Sequence, residues 1–163
     1  MISHMHKYLT IFFLLVLLQS CSSGKSALKH GNYYEAVIES INRLRSSPDN
    51  SKAKAVLKEG YPLAIEYIET TIKNGIDSDD PAKWRNAVKR YEQINYMSDQ
   101  INTSPGARKV IMKPATRFAE LKDAKQKAAE ECYQAGIAAM MKNTRADSKE
   151  ADRDNEVSAR SLR

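Results

Sequence analysis

The chain has 163 residues, which is enough for one domain with a buried core. It carries 26 basic and 20 acidic residues, for a formal net charge of +6, and solvated helix faces rich in Lys and Arg explain this balance most simply. The sequence has no G-x-x-x-x-G-K-[ST] and no G-x-G-x-x-G motif, and it contains only three His and two Cys residues. This composition disfavours a nucleotide-dependent enzyme and a metalloenzyme.

The first 20 residues are typical of a cleaved export signal. Residues 1–7 are polar and contain no acid, and residues 8–18 form an apolar run. This run is shorter than the roughly 20 residues that a transmembrane helix needs. A charged start, a short apolar core and a small residue before the cleavage point together predict a signal peptide over residues 1–20.

The segment Leu18-Gln19-Ser20-Cys21 resembles the lipobox of bacterial lipoproteins, an aliphatic, a variable and a small residue followed by Cys. The resemblance implies cleavage between Ser20 and Cys21. It also implies a diacylglycerol on the Cys21 thiol and an acyl chain on the new amino group, with no other cofactor. Two or more acyl chains hold a protein firmly at a membrane, so the membrane is one expected partner. The alternative is an ordinary secretory signal with a chance Cys.

Ser22 follows Cys21, and no acidic residue precedes Glu35. By resemblance to sorted lipoproteins, this pattern favours the outer membrane and its periplasmic face. An exported chain makes nucleic acid a poor partner, whereas anionic headgroups or an acidic partner suit the basic balance. We expect a lipidated tether over residues 21–26, a helical-repeat domain over 27–142, and a polar tail or incomplete last helix over 143–163.

The first helical unit covers Gly31 to Asn50, after a short helix at about residues 24–30. Tyr33, Val37, Ile41 and Leu44 recur at one helical face. The unit resembles the second helix of a tetratricopeptide repeat, with Gly31 as the turn glycine, Tyr33 as the aromatic, Ala36 as the small packing residue and Pro48 as the closing proline. The resemblance implies an all-α, right-handed superhelical array of antiparallel helix pairs. A generic helical hairpin is the alternative.

The next helix begins at Pro48-Asp49-Asn50-Ser51, which supplies an N-cap. Its apolar stripe is Leu57, Tyr61, Ile65, Ile68 and Ile72. Gly60 and Pro62 predict a kink or break near Gly60, because proline removes a backbone donor and clashes with the preceding turn.

Asp79-Asp80-Pro81 is a strong helix start. The stripe that follows is Trp84, Val88, Tyr91, Ile94, Met97 and Ile101. Trp84 could stack on a ligand, but helix packing is the favoured interpretation. A connection over residues 103–116 leads to a long helix at about 114–143. Its expected face is Phe118, Leu121, Lys125, Ala128, Cys132, Ala135 and Ala139, with Cys132 buried.

One unacylated Cys and His30 cannot build a zinc site, and Cys132 has no partner for an intramolecular disulfide. We therefore expect no metal, no catalytic residue and no enzymatic activity. The favoured function is a membrane-anchored scaffold that binds a partner protein. Its candidate contacts are polar or amphipathic residues that should be exposed: Tyr34, Asn42, Arg45, Lys89, Arg90 and Glu92.

Two other functions remain open. One is a small-ligand or glycan-binding lipoprotein that uses Trp84 and the tyrosines as stacking platforms. Several aromatic side chains exposed in one groove, rather than buried between helices, would favour it. The other is a structural envelope protein that touches peptidoglycan. No recognisable motif in the sequence supports this function.

Overall fold

The computed structural model describes the backbone of residues 23–161 and the side chains of residues 23–146, 148–150 and 153. The predicted export signal and the processing residues Ser20 and Cys21 lie outside the described residues. The described part is all-α and contains no strand, which confirms the all-α part of the prediction. Its helices are α1 (Lys25–Lys29), α2 (Tyr33–Ser46), α3 (Ser51–Ile76), α4 (Lys83–Asn102), α5 (Pro105–Arg108) and α6 (Phe118–Ser161).

The four long helices α2, α3, α4 and α6 pack as successive antiparallel neighbours. The Tyr33 and Tyr67 rings meet at one end of the α2–α3 pair, whereas Gly60 lies beside Val37 further along. At the start of α6, the Arg117 amide donates to Asn95 Oδ1 over 2.6 Å. The short helix α1 packs on α2 and α3, and α6 packs on α4.

The core follows the predicted stripes. Its largest fully buried apolar side chains come from α2, α3 and α4, namely Ile41, Leu44, Leu57, Ile68, Ile94, Met97 and Ile101. Each lies on a predicted apolar face, because apolar residues that recur every 3.6 positions form the side of a helix that packs on the core. The predicted N-cap is also confirmed, because Asn50 Oδ1 accepts from the Ala53 amide over 2.9 Å.

Of the kink or break predicted near Gly60, the break is wrong, because α3 runs as one helix through both Gly60 and Pro62. The kink stays a prediction. Pro62 is exposed, whereas Gly60 is buried at the crossing with α1 and α2. A Cβ added at Gly60 would lie 3.4 Å from Leu28 Cδ1 and 3.7 Å from Val37 Cγ2. Packing against two neighbouring helices stabilises the helix on both sides of the proline and offsets its lost hydrogen bond.

The expected face of α6 is only partly confirmed, because Ala128 is buried as predicted and Leu121 is half-buried. The buried residues are Ala124 and Ala128, whereas Phe118, Lys125 and Cys132 are exposed. The prediction that Cys132 is buried is therefore corrected. The reason is geometric, since α4 begins at Lys83 and no other described helix packs against the part of α6 beyond Glu131.

Candidate binding groove

A cavity of about 400 Å³ lies where the start of α2 meets α3 and α4. Gly31 adopts a left-handed conformation (φ 76°) between α1 and α2, which glycine tolerates best, and the turn places Tyr33 and Tyr34 at the first turn of α2. Tyr67 comes from the facing turn of α3, and Arg90 and Gln93 come from α4. Three successive helices therefore contribute to one cavity.

The aromatic wall of this cavity consists of Tyr33, Tyr34 and Tyr67. The Tyr33 and Tyr67 ring centroids lie 6.1 Å apart at an interplanar angle of 70°, an edge-to-face pair. Tyr33 and Tyr34 are half-buried, and Tyr67 is 55% exposed. Burial raises the pKa of the Tyr34 phenol, and the neighbouring Tyr96 and Glu35 raise it further. Tyr34 is thus a neutral hydroxyl at neutral pH, available as donor and acceptor.

A second cavity, of about 500 Å³, adjoins the first between the end of α3 and the start of α4. The two cavities share Arg90 and Gln93, whose side chains are joined by a 3.0 Å hydrogen bond from Arg90 Nη1 to Gln93 Oε1. We call the two cavities together the tyrosine groove. It extends along the α3–α4 pair from Tyr33 at one end to Gly75 at the other.

The two ends of the tyrosine groove differ in charge. The Gly75 end is lined by the cations Lys83, Lys89 and Arg90, and its lining includes no carboxylate. The Lys83 ammonium donates to the Ser78 carbonyl oxygen over 3.2 Å, which holds it at this end. The Tyr33 end has Glu35 in its lining. The groove therefore offers aromatic surface at one end and positive charge at the other.

The six candidate contacts divide into two groups. Tyr34, Lys89 and Arg90 line the tyrosine groove, although the prediction did not anticipate that α2 and α4 bring them together. Asn42, Arg45 and Glu92 lie elsewhere. The functional assignment of all six stays a prediction.

The second group makes contacts between helices. Arg45 Nη1 donates to Asn42 Oδ1 over 2.9 Å, and Arg45 Nη2 donates to Gln100 Oε1 over 2.6 Å, which ties α2 to α4. Glu92 forms an ion pair with Lys125, with 2.9 Å between Oε1 and Nζ, which ties α4 to α6. These contacts hold neighbouring helices together at the protein surface.

Sequence reasoning missed Tyr67 and Gln93 as groove residues. Tyr67 stands outside the buried stripe of α3, and an aromatic residue on the exposed side of an amphipathic helix is the signal that could have found it. Trp84 lies outside the groove. It packs against the core, and the Lys127 ammonium sits 4.2 Å from its ring centroid, in agreement with the packing interpretation.

Within the described residues, no group of three or more His, Cys, Asp or Glu side chains could hold a metal ion. None of the described helices combines the length and apolar content needed to cross a membrane. Comparison with protein-family models, curated proteins and solved structures finds no match for this chain.

Proposed function

We propose that this protein is a lipid-anchored scaffold of the bacterial envelope, held at the outer membrane on its periplasmic side, and that the tyrosine groove binds an extended segment of a partner protein. The observation that carries the binding role is the groove itself, in which three tyrosines and three cations from separate helices converge. A pocket of this kind, aromatic with a few convergent polar groups, is the usual form of a binding site.

The anchor rests on the lipobox-like segment ending at Cys21, and the described fold begins only a few residues later in the sequence. Gly24, only three positions later, is buried against α2. A Cβ there would lie 3.1 Å from Ala36 Cα and closer still to the Ala36 carbonyl oxygen. Three extended residues span at most about 10 Å, so lipid on Cys21 would hold α1 next to the headgroups.

The surface beside α1 suits that position. Lys25 and Lys29 of α1 and Lys52 of α3 line a shallow pocket there, together with Glu59. Lysines near an anionic membrane surface contribute about 1 kcal/mol each, and this contribution supplements the lipid anchor.

We also propose that α2, α3, α4 and α6 form a tetratricopeptide-like array. Their antiparallel succession and the left-handed turn at Gly31 support it, as does Ala36, a small residue at a close approach of α1 and α2. Such arrays bind extended peptides along a surface that several helices share. The matching occupant here is a segment with an aromatic or apolar residue for the Tyr33 end and acidic residues for the Lys83 end.

Site-specific photo-crosslinking in intact envelopes tests the scaffold role. A photoreactive residue at Tyr67 should capture one protein repeatedly. The same residue at Met112, which is 83% exposed and lies outside the groove linings, is the matched control and should not capture it. Arg90→Glu should reduce the Tyr67 product, because it reverses the charge at the centre of the groove. Equal capture from both positions would contradict the proposal.

The anchor is tested separately with a clickable palmitate analogue. The wild-type protein should take up label and Cys21→Ala should not. Equal uptake by the two proteins would refute the lipid anchor and leave the groove assignment standing.

A glycan ligand is the second candidate, because Tyr33, Tyr34 and Tyr67 are grouped in one cavity with Asn32, Glu35 and Gln93. Aromatic faces beside amide and carboxylate groups are suited to sugar rings. Calorimetric titration of the purified protein with envelope glycan fragments would then show saturable binding that Tyr67→Ala abolishes. Saturable sugar binding without a crosslinked protein would replace the scaffold with this function.

A further inference from the structure

The C-terminal part of α6 extends beyond the rest of the fold. Lys127 lies over Trp84, which is in the first turn of α4, and α6 continues from there to Ser161. At 1.5 Å per residue, the roughly 30 residues beyond Glu131 form a helix about 45 Å long. Among the described helices, α6 contacts only α4. In proteins, most of the stability of a helix comes from the packing of an amphipathic face.

This free part of α6 has an apolar patch formed by Tyr133, Ile137, Met140 and Met141. Tyr133, Met140 and Met141 are 63%, 71% and 66% exposed, whereas Ile137 is partly buried. Their spacing of three and four residues places them on one face. At 100° per residue, this face points away from the α4-facing side, which Ala128 marks. The patch is therefore not a continuation of the intramolecular interface.

The charges around the patch show what could cover it. Residues 132–141 contain no charged side chain, in a helix that is densely charged on both sides. Glu130 and Glu131 precede this stretch, and Lys142 and Arg145 follow it. One end of the patch is thus acidic and the other is basic.

We propose that the patch binds the same patch of a second copy of this chain, with the two helices antiparallel. An antiparallel arrangement places the acidic end of each helix opposite the basic end of the other, at both ends of the contact. A parallel arrangement would set Glu130 against its own copy and Arg145 against its own copy, which is unfavourable. The contact is isologous, as in most closed dimers, because the same surface is used on both sides.

Glu130 and Arg145 are the most informative charges. Both lie on the Met141 side of the patch, and in antiparallel pairs residues on the same side of each helix face one another. Glu130 Oε1 accepts from Gln134 Nε2 over 2.7 Å within its own helix. None of the described ion pairs involves Glu130 or Arg145. Both are therefore available to a second copy.

The first test is co-purification of two differently tagged full-length copies expressed in one cell. Wild-type copies should co-purify. Ile137→Lys should reduce recovery by about tenfold or more, because it puts a charge in the centre of the patch on both copies. The matched control is Ala135→Lys, which replaces an exposed alanine on the opposite face and should leave recovery unchanged. Circular dichroism of both purified variants verifies that the helix is intact.

The second test distinguishes self-pairing from any other partner. Glu130→Lys in both copies should weaken co-purification, because it sets like charges together at each end of the contact. Arg145→Glu in both copies should do the same. One copy carrying Glu130→Lys and the other carrying Arg145→Glu should recover wild-type binding, since both ends are then complementary.

Three outcomes would overturn the proposal. The wild-type copies could fail to co-purify, recovery could be insensitive to Ile137→Lys, or the mixed charge variants could pair no better than the matched ones. A different protein captured through Ile137, with no second copy present, would assign the patch to that partner instead.

Discussion

Gly24 and Gly31 offer a matched pair of substitutions that tests how α1 is fixed to the rest of the fold. Both residues have left-handed backbones, with φ of 77° and 76°. Alanine costs about 1–2 kcal/mol in this conformation, so both variants carry that loss. At Gly31 nothing lies within 4 Å of an added Cβ, and Gly31→Ala should destabilise the protein by this conformational cost alone.

At Gly24 the added Cβ would overlap the backbone of Ala36, which cannot move aside as a side chain can. Overpacking of this kind costs about 1–3 kcal/mol more. Gly24→Ala should therefore lower the free energy of unfolding by about 2–5 kcal/mol, which urea titration followed by circular dichroism measures. If Gly24→Ala instead detaches α1 locally, trypsin should cut this variant faster after Lys25 and Lys29 than it cuts Gly31→Ala. Equal unfolding free energies for the two variants, with equal cleavage rates, would refute the contact between Gly24 and Ala36.

Three further predictions follow from burial. Leu57→Ala should destabilise the protein by about 2–5 kcal/mol in urea titration, because Leu57 is fully buried, whereas the exposed neighbour Lys58→Ala should stay within about 0.5 kcal/mol. Burial raises the pKa of Tyr61, so its folded pKa lies above the unfolded one. The stabilisation that the buried, neutral Tyr61 phenol contributes is fully present below about pH 10, and it is lost as the pH rises further. Tyr61→Phe should make the stability of the protein less dependent on pH above about pH 10. At pH 7 it should lower the free energy of unfolding by about 0.5–1.5 kcal/mol, because the Ala115 amide donates to the Tyr61 hydroxyl over 2.6 Å. A pH-independent difference between the two proteins would contradict this. Cys132 is exposed, so a maleimide should label it in the folded protein as fast as in 6 M urea. Protection that is lost only on unfolding would mean that Cys132 is covered.

The helices of the core could be predicted because their signal is local. Val37, Ile41 and Leu44 recur with the helical period, and all three are fully buried. Capping is equally local, since Asn50 acts on an amide three residues away. The break predicted at Gly60 does not occur, because α1 and α2 pack against this part of α3 and nothing near Pro62 in the sequence encodes that packing.

The register of α6 depended on its neighbour in the same way. Two stripes of small residues share Ala128, and one of them continues to Cys132 whereas the other contains Ala124. The large residues Trp84 and Tyr91 of α4 pack against the core, and α6 meets that helix with Ala124 and Ala128. Which stripe is buried is decided by the surface of α4, so the sequence of α6 alone could not decide it.

The candidate groove was only partly accessible to sequence reasoning. Tyr34, Lys89 and Arg90 were chosen because they are polar or amphipathic, and the structure places all three in its lining. Tyr67 joins them through the antiparallel pairing of α2 with α3, which is a long-range contact. Arg45 was chosen on the same grounds, yet it bonds to Gln100, because exposure does not distinguish a free cation from one that joins two helices.

The positions of α1 and α6 bear on how the proposed scaffold works. Among the described helices, α1 contacts α2 and α3, whereas α6 contacts only α4, so the two occupy opposite ends of this succession of helices. A lipid on Cys21 would therefore fix the α1 end to the membrane and leave the α6 patch at the other end. Two anchored copies could then pair through Tyr133, Ile137, Met140 and Met141 without moving either anchor. Since the tyrosine groove is lined by residues of α2, α3 and α4 and of the turn before α2, the proposed pairing through α6 uses none of its lining residues.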